Sequence, residues 1–235
     1  IHDAPAPEHK TELDERLLAS PALALGQCRE VTMKMADCAV QALRGSLLSV
    51  TDYTPALAEQ VRADEEVTDH YEDILGTYLV KLSSQTLTAA DSENATELLK
   101  AIGDFERIAD HAVNIVESAE ELQSKGLTLS EAAQADLKVL EAAVEEILDR
   151  SADAFRRGDA QAAAAVEPLE QVVDLLKEQL RTRHILRMRE GKCSIEAGFV
   201  WADLLTDLER TSDHCSNIAG SVIDMSQHNL NIHET

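Results

Sequence analysis

Residues 104–115, DFERIADHAVNI, and residues 207–218, DLERTSDHCSNI, are two versions of one sequence separated by 103 residues. Around both versions an apolar residue recurs every three or four positions, which is the period of an amphipathic α-helix. The two predicted core stripes are Leu98, Ile102, Phe105, Ala109, Ala112, Val116 and Ala119, and then Trp201, Leu205, Leu208, Ser212, Cys215, Ala219 and Val222. An internal repeat of this kind predicts a protein built from two copies of one unit.

The remainder of the chain is also typical of helices. Only 9 glycines and 5 prolines occur in 235 residues, and the segments between them are rich in Ala, Leu, Glu and Asp, which favour helix over strand. Glycines, prolines and capping residues divide the chain into six helices, and short connections make neighbouring helices antiparallel. We predict an all-α fold of two tandem antiparallel three-helix bundles, with a linker over 1–12, a first bundle over 13–126 and a second over 127–230.

The same signals predict individual helix bounds. The first helix is expected over residues 13–44, because Gly45 follows. Thr54 precedes a proline and is expected to cap the second helix. Thr128, with a glutamate three residues later, has the spacing of a capping box for the fourth helix. Asp159 is expected to cap the fifth helix, which is expected to run to Glu190, before Gly191.

Charge and cysteine usage restrict the possible partners and compartment. The 44 acidic and 21 basic residues give a formal charge of -23, which repels nucleic acid phosphates and favours cations as ligands. The four cysteines lack the CxxC spacing of a zinc site, and no apolar run is long enough to span a membrane. We therefore expect a cytoplasmic protein with no nucleic acid partner. Because the chain begins at Ile1 with a polar, proline-containing segment, we also expect a further segment upstream.

Two carboxylate pairs in the repeated sequence are candidate metal ligands. Glu106 and Asp110 are four residues apart and therefore lie one above the other on a helix face, as do Glu209 and Asp213. Both pairs lie at the edge of a predicted core stripe, where partly buried carboxylates need a cation or a proton. Their repetition at a common offset predicts one metal site in each unit.

A second set of acidic pairs occurs on helices two and five. Glu65 and Asp69 are four residues apart, as are Glu170 and Asp174. In an antiparallel bundle, pairs on adjacent helices can converge and offer four carboxylates to one site. Carboxylate oxygens are hard ligands that suit Mg, Ca, Mn or iron better than soft metals.

Two histidines adjoin these acids. His111 and His214 directly follow the aspartates but point about 100° round the helix, and they align with Asp104 and Asp207, seven residues back. We therefore predict that each histidine pairs with an acid and does not bind metal.

The repeated segments resemble a known family signature. FERIADHAVNI and LERTSDHCSNI resemble the LERIGDHAVNIA motif of PhoU proteins, whose fold is two three-helix bundles. In the first repeat Ile108 and Ala109 keep most of the Ile-Gly of that motif, whereas Thr211 and Ser212 depart from it in the second. The opening LDERLLASPALALGQCREVTMKMA is similar to the start of the cytoplasmic PhoU-like domain that follows the membrane part of bacterial sodium/phosphate cotransporters.

The resemblance implies a function, partners and a cofactor. It implies regulation of phosphate uptake at the inner face of the membrane, together with a transporter membrane domain or transport and signalling proteins as partners. A homo-oligomer is a separate expectation that does not come from the resemblance. The resemblance also implies multinuclear metal clusters, often of iron, with Zn, Mn, Mg or Ca as alternatives. The family's E(D)-x-x-x-D ligand pairs correspond here to Glu106 with Asp110, Glu209 with Asp213, Glu65 with Asp69, and Glu170 with Asp174.

Three classes of function are open: a metal-loaded regulatory domain, a carboxylate-bridged di-metal enzyme, and a metal-free helical scaffold. A ferritin-like enzyme needs Glu-x-x-His on core helices, and none of the eight histidines has a glutamate three residues before it. The sequence also lacks a Gly-rich phosphate loop and a nucleophile motif. We therefore expect a regulatory protein with no catalytic residues. A scaffold, by contrast, would leave the repeated acids in bulk water.

Overall fold

The structure, a computed structural model, describes residues 12–233, with side chains as far as residue 229. Nearly all of the linker predicted over 1–12 therefore lies outside the described residues. A short 3-10 helix (Glu15–Ala19) precedes seven α-helices: α1 (Pro21–Thr51), α2 (Pro55–Ser83), α3 (Ala89–Ser124), α4 (Glu131–Arg157), α5 (Ala160–Ala164), α6 (Val166–Arg189) and α7 (Ile195–His233). Six of these helices are long, and residues 12–233 contain no β-strand. The predicted all-α, six-helix fold is confirmed.

The six long helices form two bundles that share one hydrophobic core. Helices α1, α2 and α3 pack together, as do α4, α6 and α7, and α3 packs along α7 at the centre of the molecule. The two central helices are antiparallel, because Asp104 contacts His214 while His111 contacts Asp207. Every residue of the two predicted core stripes is buried. The bundle boundary predicted at residue 126 falls in the connection between α3 and α4.

The predicted first helix has incorrect bounds. Helix α1 begins at Pro21, and it continues through Gly45 to Thr51. A Cβ atom at position 45 would lie 2.9 Å from Cγ2 of Val61 on α2. Glycine is therefore needed at this position for the close approach of α1 and α2, not for ending the helix.

Two other predicted helix features differ from the structure. Ser130, and not Thr128, caps α4, since its hydroxyl accepts the backbone N–H of Ala133. The predicted fifth helix is interrupted at Ala165, between α5 and α6. Three residues later Pro168 lacks the N–H that would continue the helical hydrogen bonds across this break.

Other predicted helix ends are confirmed. The Thr54 hydroxyl accepts the N–H of Leu57 at the start of α2. Gly158 ends α4 in the left-handed conformation, with φ at 62°, which glycine adopts without steric cost. Over residues 12–233, none of the helices combines the length and the apolar character needed to cross a membrane.

Candidate metal sites

The first cluster of acids lies between α2 and α3. Helix α2 contributes Glu65 and Asp69, and α3 contributes Glu106 and Asp110. Burial raises the pKa of Glu65, and the charges of Asp110 and Asp69 raise it further. The charge of Asp110 on α3 thus acts on Glu65 of α2, across the interface between the two helices.

Glu106 is the most perturbed member of this cluster. Its side chain is 19% exposed. Burial raises its pKa to about 7, and the charge of Asp110, a hydrogen bond to Asp110 and the charge of Glu72 act in the same direction. A carboxyl group with this pKa holds a proton about half of the time at pH 7, and a bound cation can replace that proton.

Two residues that were not predicted belong to the surroundings of the first cluster. Glu72 lies seven residues after Glu65 on α2, and its pKa is raised by burial and then by Asp69, Asp73 and Asp110. The signal that could have revealed Glu72 is the i, i+4, i+7 spacing of one helix face. Arg107 Nη1 lies 3.1 Å from Oδ2 of Asp110, and this exposed guanidinium supplies part of the missing positive charge.

The second cluster lies between α6 and α7. Glu170, Asp174 and Asp213 each place one carboxylate oxygen in a group of three. These three oxygens lie within 4.8 Å of one another, which is close enough for a shared cation. The pKa of Glu170 is raised to about 7. Burial is the largest cause, followed by the charge of Asp174, a hydrogen bond to Asp174 and the charge of Asp213. Burial also raises the pKa of Asp213, with Glu209 and Asp174 as further causes. The structure therefore brings three of the four predicted ligands together.

Glu209, the fourth predicted ligand of this cluster, has a cationic partner. Its Oε2 atom lies 3.3 Å from Nζ of Lys177 on α6, and both side chains are largely buried. Lys177 was not predicted to have a role. Its position seven residues after Glu170, on the same face of α6, is the signal that could have identified it.

The donor atoms in both clusters fit hard cations. All eight predicted ligands offer carboxylate oxygens, which Mg, Ca, Mn and iron prefer. Soft thiolate ligands are not available in the core, because burial raises the pKa of both Cys28 and Cys215 to about 12. A polar groove of ≈ 940 Å³ adjoins the first cluster and leads to α7. Six acidic side chains line this groove, namely Glu72, Glu97, Asp104, Glu106, Glu167 and Asp224.

The two histidines pair with acids, but not with the predicted ones. His111 Nδ1 lies 2.9 Å from Oδ1 of Asp207, and His214 Nδ1 lies 2.9 Å from Oδ1 of Asp104. The predicted pairing within one helix is wrong, since each histidine donates to the aspartate of the other bundle. The rings of His111 and His214 stack with their centroids 5.6 Å apart. These reciprocal hydrogen bonds connect the two bundles beside the carboxylate clusters.

Comparison with known proteins agrees with this repeated architecture. The family model described as the PhoU domain matches residues 32–119 and 137–222, which is one match in each bundle. The chain belongs to the PhoU family. The resemblance of the repeated segments to the PhoU signature is thereby confirmed.

Several PhoU proteins are similar along much of their length. A phosphate-specific transport system accessory protein PhoU homolog of Pseudomonas aeruginosa is 26% identical over 202 residues, covering 85% of this chain and 82% of that protein. The PhoU homolog 1 of Thermotoga maritima is 29% identical over 126 residues, covering 54% of this chain and 53% of that protein.

Two solved PhoU structures share the fold. The crystal structure of PhoU from Pseudomonas aeruginosa superposes with a TM-score of 0.81 at 24% identity, covering 86% of this chain and 97% of that one. The phosphate transport system regulatory protein PhoU from Streptococcus pneumoniae superposes with a TM-score of 0.78 at 17% identity, covering 88% and 97%. At these identities the likeness establishes the fold alone.

Proposed function

We propose that this chain is a regulatory PhoU protein of phosphate transport and that its two carboxylate clusters bind hard metal cations. Family membership supports the first part, because relatives similar over most of their length are named accessory proteins of the phosphate-specific transport system. Regulation, not catalysis, is the proposed role, since the sequence lacks the Glu-x-x-His and nucleophile motifs of the enzymes considered above.

The observation that carries the metal proposal is a conflict between neighbouring carboxylates that occurs once in each bundle, at positions that do not correspond in the repeat. Glu106 and Glu170 each lie beside an aspartate on their own helix, and the pKa of each is raised to about 7 with burial as the largest cause. Like charges so placed destabilise the fold when both are ionised. A bound cation removes this repulsion and links adjacent helices, so metal occupancy becomes coupled to bundle stability.

The proposed ligands form one set in each bundle. They are Glu65, Asp69, Glu106 and Asp110 in the first, and Glu170, Asp174, Glu209 and Asp213 in the second. A multinuclear iron cluster is the first candidate because of the family resemblance, and Mn, Mg, Ca or Zn are the alternatives. A metal-free scaffold is disfavoured because Glu106 and Glu209 are less than one-fifth exposed.

Elemental analysis of the purified chain tests the metal proposal. The double variant Glu106→Gln with Asp110→Asn should lose about the metal content of one site. Its melting temperature should fall in the metal-loaded form and stay the same or rise in the metal-free form. The control is Glu59→Gln, at an exposed glutamate of α2, which should leave the metal content unchanged.

Three outcomes separate the functions. Equal destabilisation with and without metal, at unchanged metal content, would show that the acids are structural and favour the scaffold. Metal-dependent turnover of phosphate esters or oxygen that Glu106→Gln abolishes would favour the di-metal enzyme. Loss of metal in the cluster variant alone supports the regulatory metal protein.

We further propose that the chain acts in the cytoplasm at the inner face of the membrane, as part of a sodium/phosphate cotransporter. The basis is the similarity of its opening segment to such domains. Its partners would be a phosphate transporter membrane domain or transport and signalling proteins, together with a second copy of the chain. This assignment would be supported if the chain co-purifies with the membrane domain of such a cotransporter. The co-purification should be lost at high phosphate or when metal is removed. Co-purification with neither a cotransporter nor a phosphate transport system would contradict it.

A further inference from the structure

The two carboxylate clusters differ at one corresponding position. Helices α2 and α6 align at an offset of 105 residues, which matches Glu65 to Glu170 and Asp69 to Asp174. Buried positions of the two helices also correspond at this offset. The matched buried pairs are Val61 with Val166, Thr68 with Val173, Leu75 with Leu180, Leu79 with His184, and Leu82 with Arg187. In this alignment Glu72 of the first bundle corresponds to Lys177 of the second.

This exchange changes the local charge by two at a site of low solvent access. Glu72 lines the same groove as Glu106 of the first cluster and adds a fifth carboxylate there. Lys177 instead lies 3.3 Å from Glu209, with side-chain exposures of 24% for the lysine and 18% for the glutamate. Because both groups are shielded from water, their attraction is screened less than that of an ordinary surface pair.

We propose that Lys177 is a tethered counter-ion that occupies the place of one cation in the second cluster. Arg107 beside Asp110 in the first cluster is 62% exposed and is a weaker counter-ion than Lys177, so the second cluster binds fewer metal ions, and binds them more weakly, than the first. This inference rests on the proposed function, since it concerns the loading of the same clusters. Glu209 is engaged by the ammonium group, so a metal must either displace Lys177 or use the remaining oxygens of Glu170, Asp174 and Asp213.

Titration of the chelator-stripped full chain with Mn²⁺ tests this assignment. Calorimetry gives the affinities, and elemental analysis after desalting gives the stoichiometry. The wild type should show two classes of site whose dissociation constants differ about tenfold or more. Lys177→Met, which removes the charge but keeps the chain length, should tighten the weak class by about tenfold. Lys177→Glu should tighten it further and raise the stoichiometry.

The reciprocal variant and a charge control complete the test. Glu72→Lys should weaken the tight class to the level of the wild-type second cluster. Lys125→Glu breaks an exposed ion pair with Glu121 and changes the net charge equally. It lies roughly four turns along α3 from Asp110 and should leave the isotherm unchanged. Circular dichroism melts confirm that each variant is folded before titration.

The outcomes distinguish this inference from the proposed function. If neither Lys177 variant alters the isotherm, or if Lys125→Glu alters it equally, the tethered counter-ion is refuted. The metal sites themselves would still be supported if the double variant Glu106→Gln with Asp110→Asn loses metal binding. If the wild-type chain binds no Mn²⁺, both the metal proposal and this inference fail.

Discussion

Replacing Glu106 by glutamine should stabilise the metal-free protein, and the gain should grow with pH. The pKa of Glu106 is raised from its usual 4.5 to about 7, first by burial and then by Asp110. The protonated Glu106 side chain therefore contributes fully to the free energy of unfolding below pH 4.5, and this contribution is lost as the pH rises through 7. Glutamine carries no charge, and its amide can donate to Asp110 as the protonated carboxyl does.

The size of the effect follows from the two pKa values. A change from 4.5 to about 7 corresponds to about 3 kcal/mol of unfolding free energy at high pH. Since the Glu106 side chain is only 19% exposed, solvent screens little of this energy. The substitution should therefore add about 3 kcal/mol at pH 8.5 and about 1.5 kcal/mol at pH 5.5. In a chain of this size, 3 kcal/mol raises the melting temperature by roughly 6–12 °C.

Urea denaturation in the presence of a chelator, at pH 5.5 and 8.5, measures this gain. Glu59→Gln, an exposed glutamate of α2, is the control and should change stability by less than about 0.5 kcal/mol at either pH. With saturating metal the sign should reverse, because the variant loses a ligand. A stability loss of equal size at both pH values without metal would refute the electrostatic reasoning.

Two further predictions concern packing and buried charge. Gly45→Ala should cost about 1–3 kcal/mol of unfolding free energy, since the new Cβ would lie 2.9 Å from Val61. Gly26→Ala is the control, because a Cβ there would have no atom within 4 Å, and it should be neutral or stabilise by up to about 1 kcal/mol. Asp136→Asn should cost about 3–5 kcal/mol, because Arg187, which is 8% exposed and 2.7 Å from Asp136, would lose its buried partner. Urea denaturation measures both. Equal costs for the two glycine variants, or a loss below about 1 kcal/mol for Asp136→Asn, would contradict these explanations.

Several features set by residues close together in the sequence were predicted correctly, although Thr128 was mistaken for the cap of α4. The period of apolar residues identified the buried stripes of α3 and α7, and Thr54 was identified as a helix cap from its neighbours alone. The stacking of Glu106 on Asp110 also follows from helix geometry, because residues four apart lie on one face. Hydrogen bonds and side-chain directions within a helix depend on residues no more than four positions away.

Features set by the packing of one helix on another were not predictable in the same way. The sequence placed His111 beside Asp104, whereas antiparallel packing of α3 on α7 places it beside Asp207. Glycine is common at helix ends, and the sequence therefore predicted that α1 ends at Gly45. Only the close approach of α2 explains why a glycine lies inside this helix. Lys177 is one basic residue among many until the fold positions it against Glu209.

The sequence by itself thus determined that this protein is two copies of a three-helix unit with paired acids at the edge of each core. The tertiary structure decided which acids face each other, which of them has an internal cation, and how the bundles are joined through histidine and aspartate. The physical reason is that periodicity fixes the buried face of a helix but not its register against a neighbour. That register depends on the interlocking of side chains from distant parts of the chain.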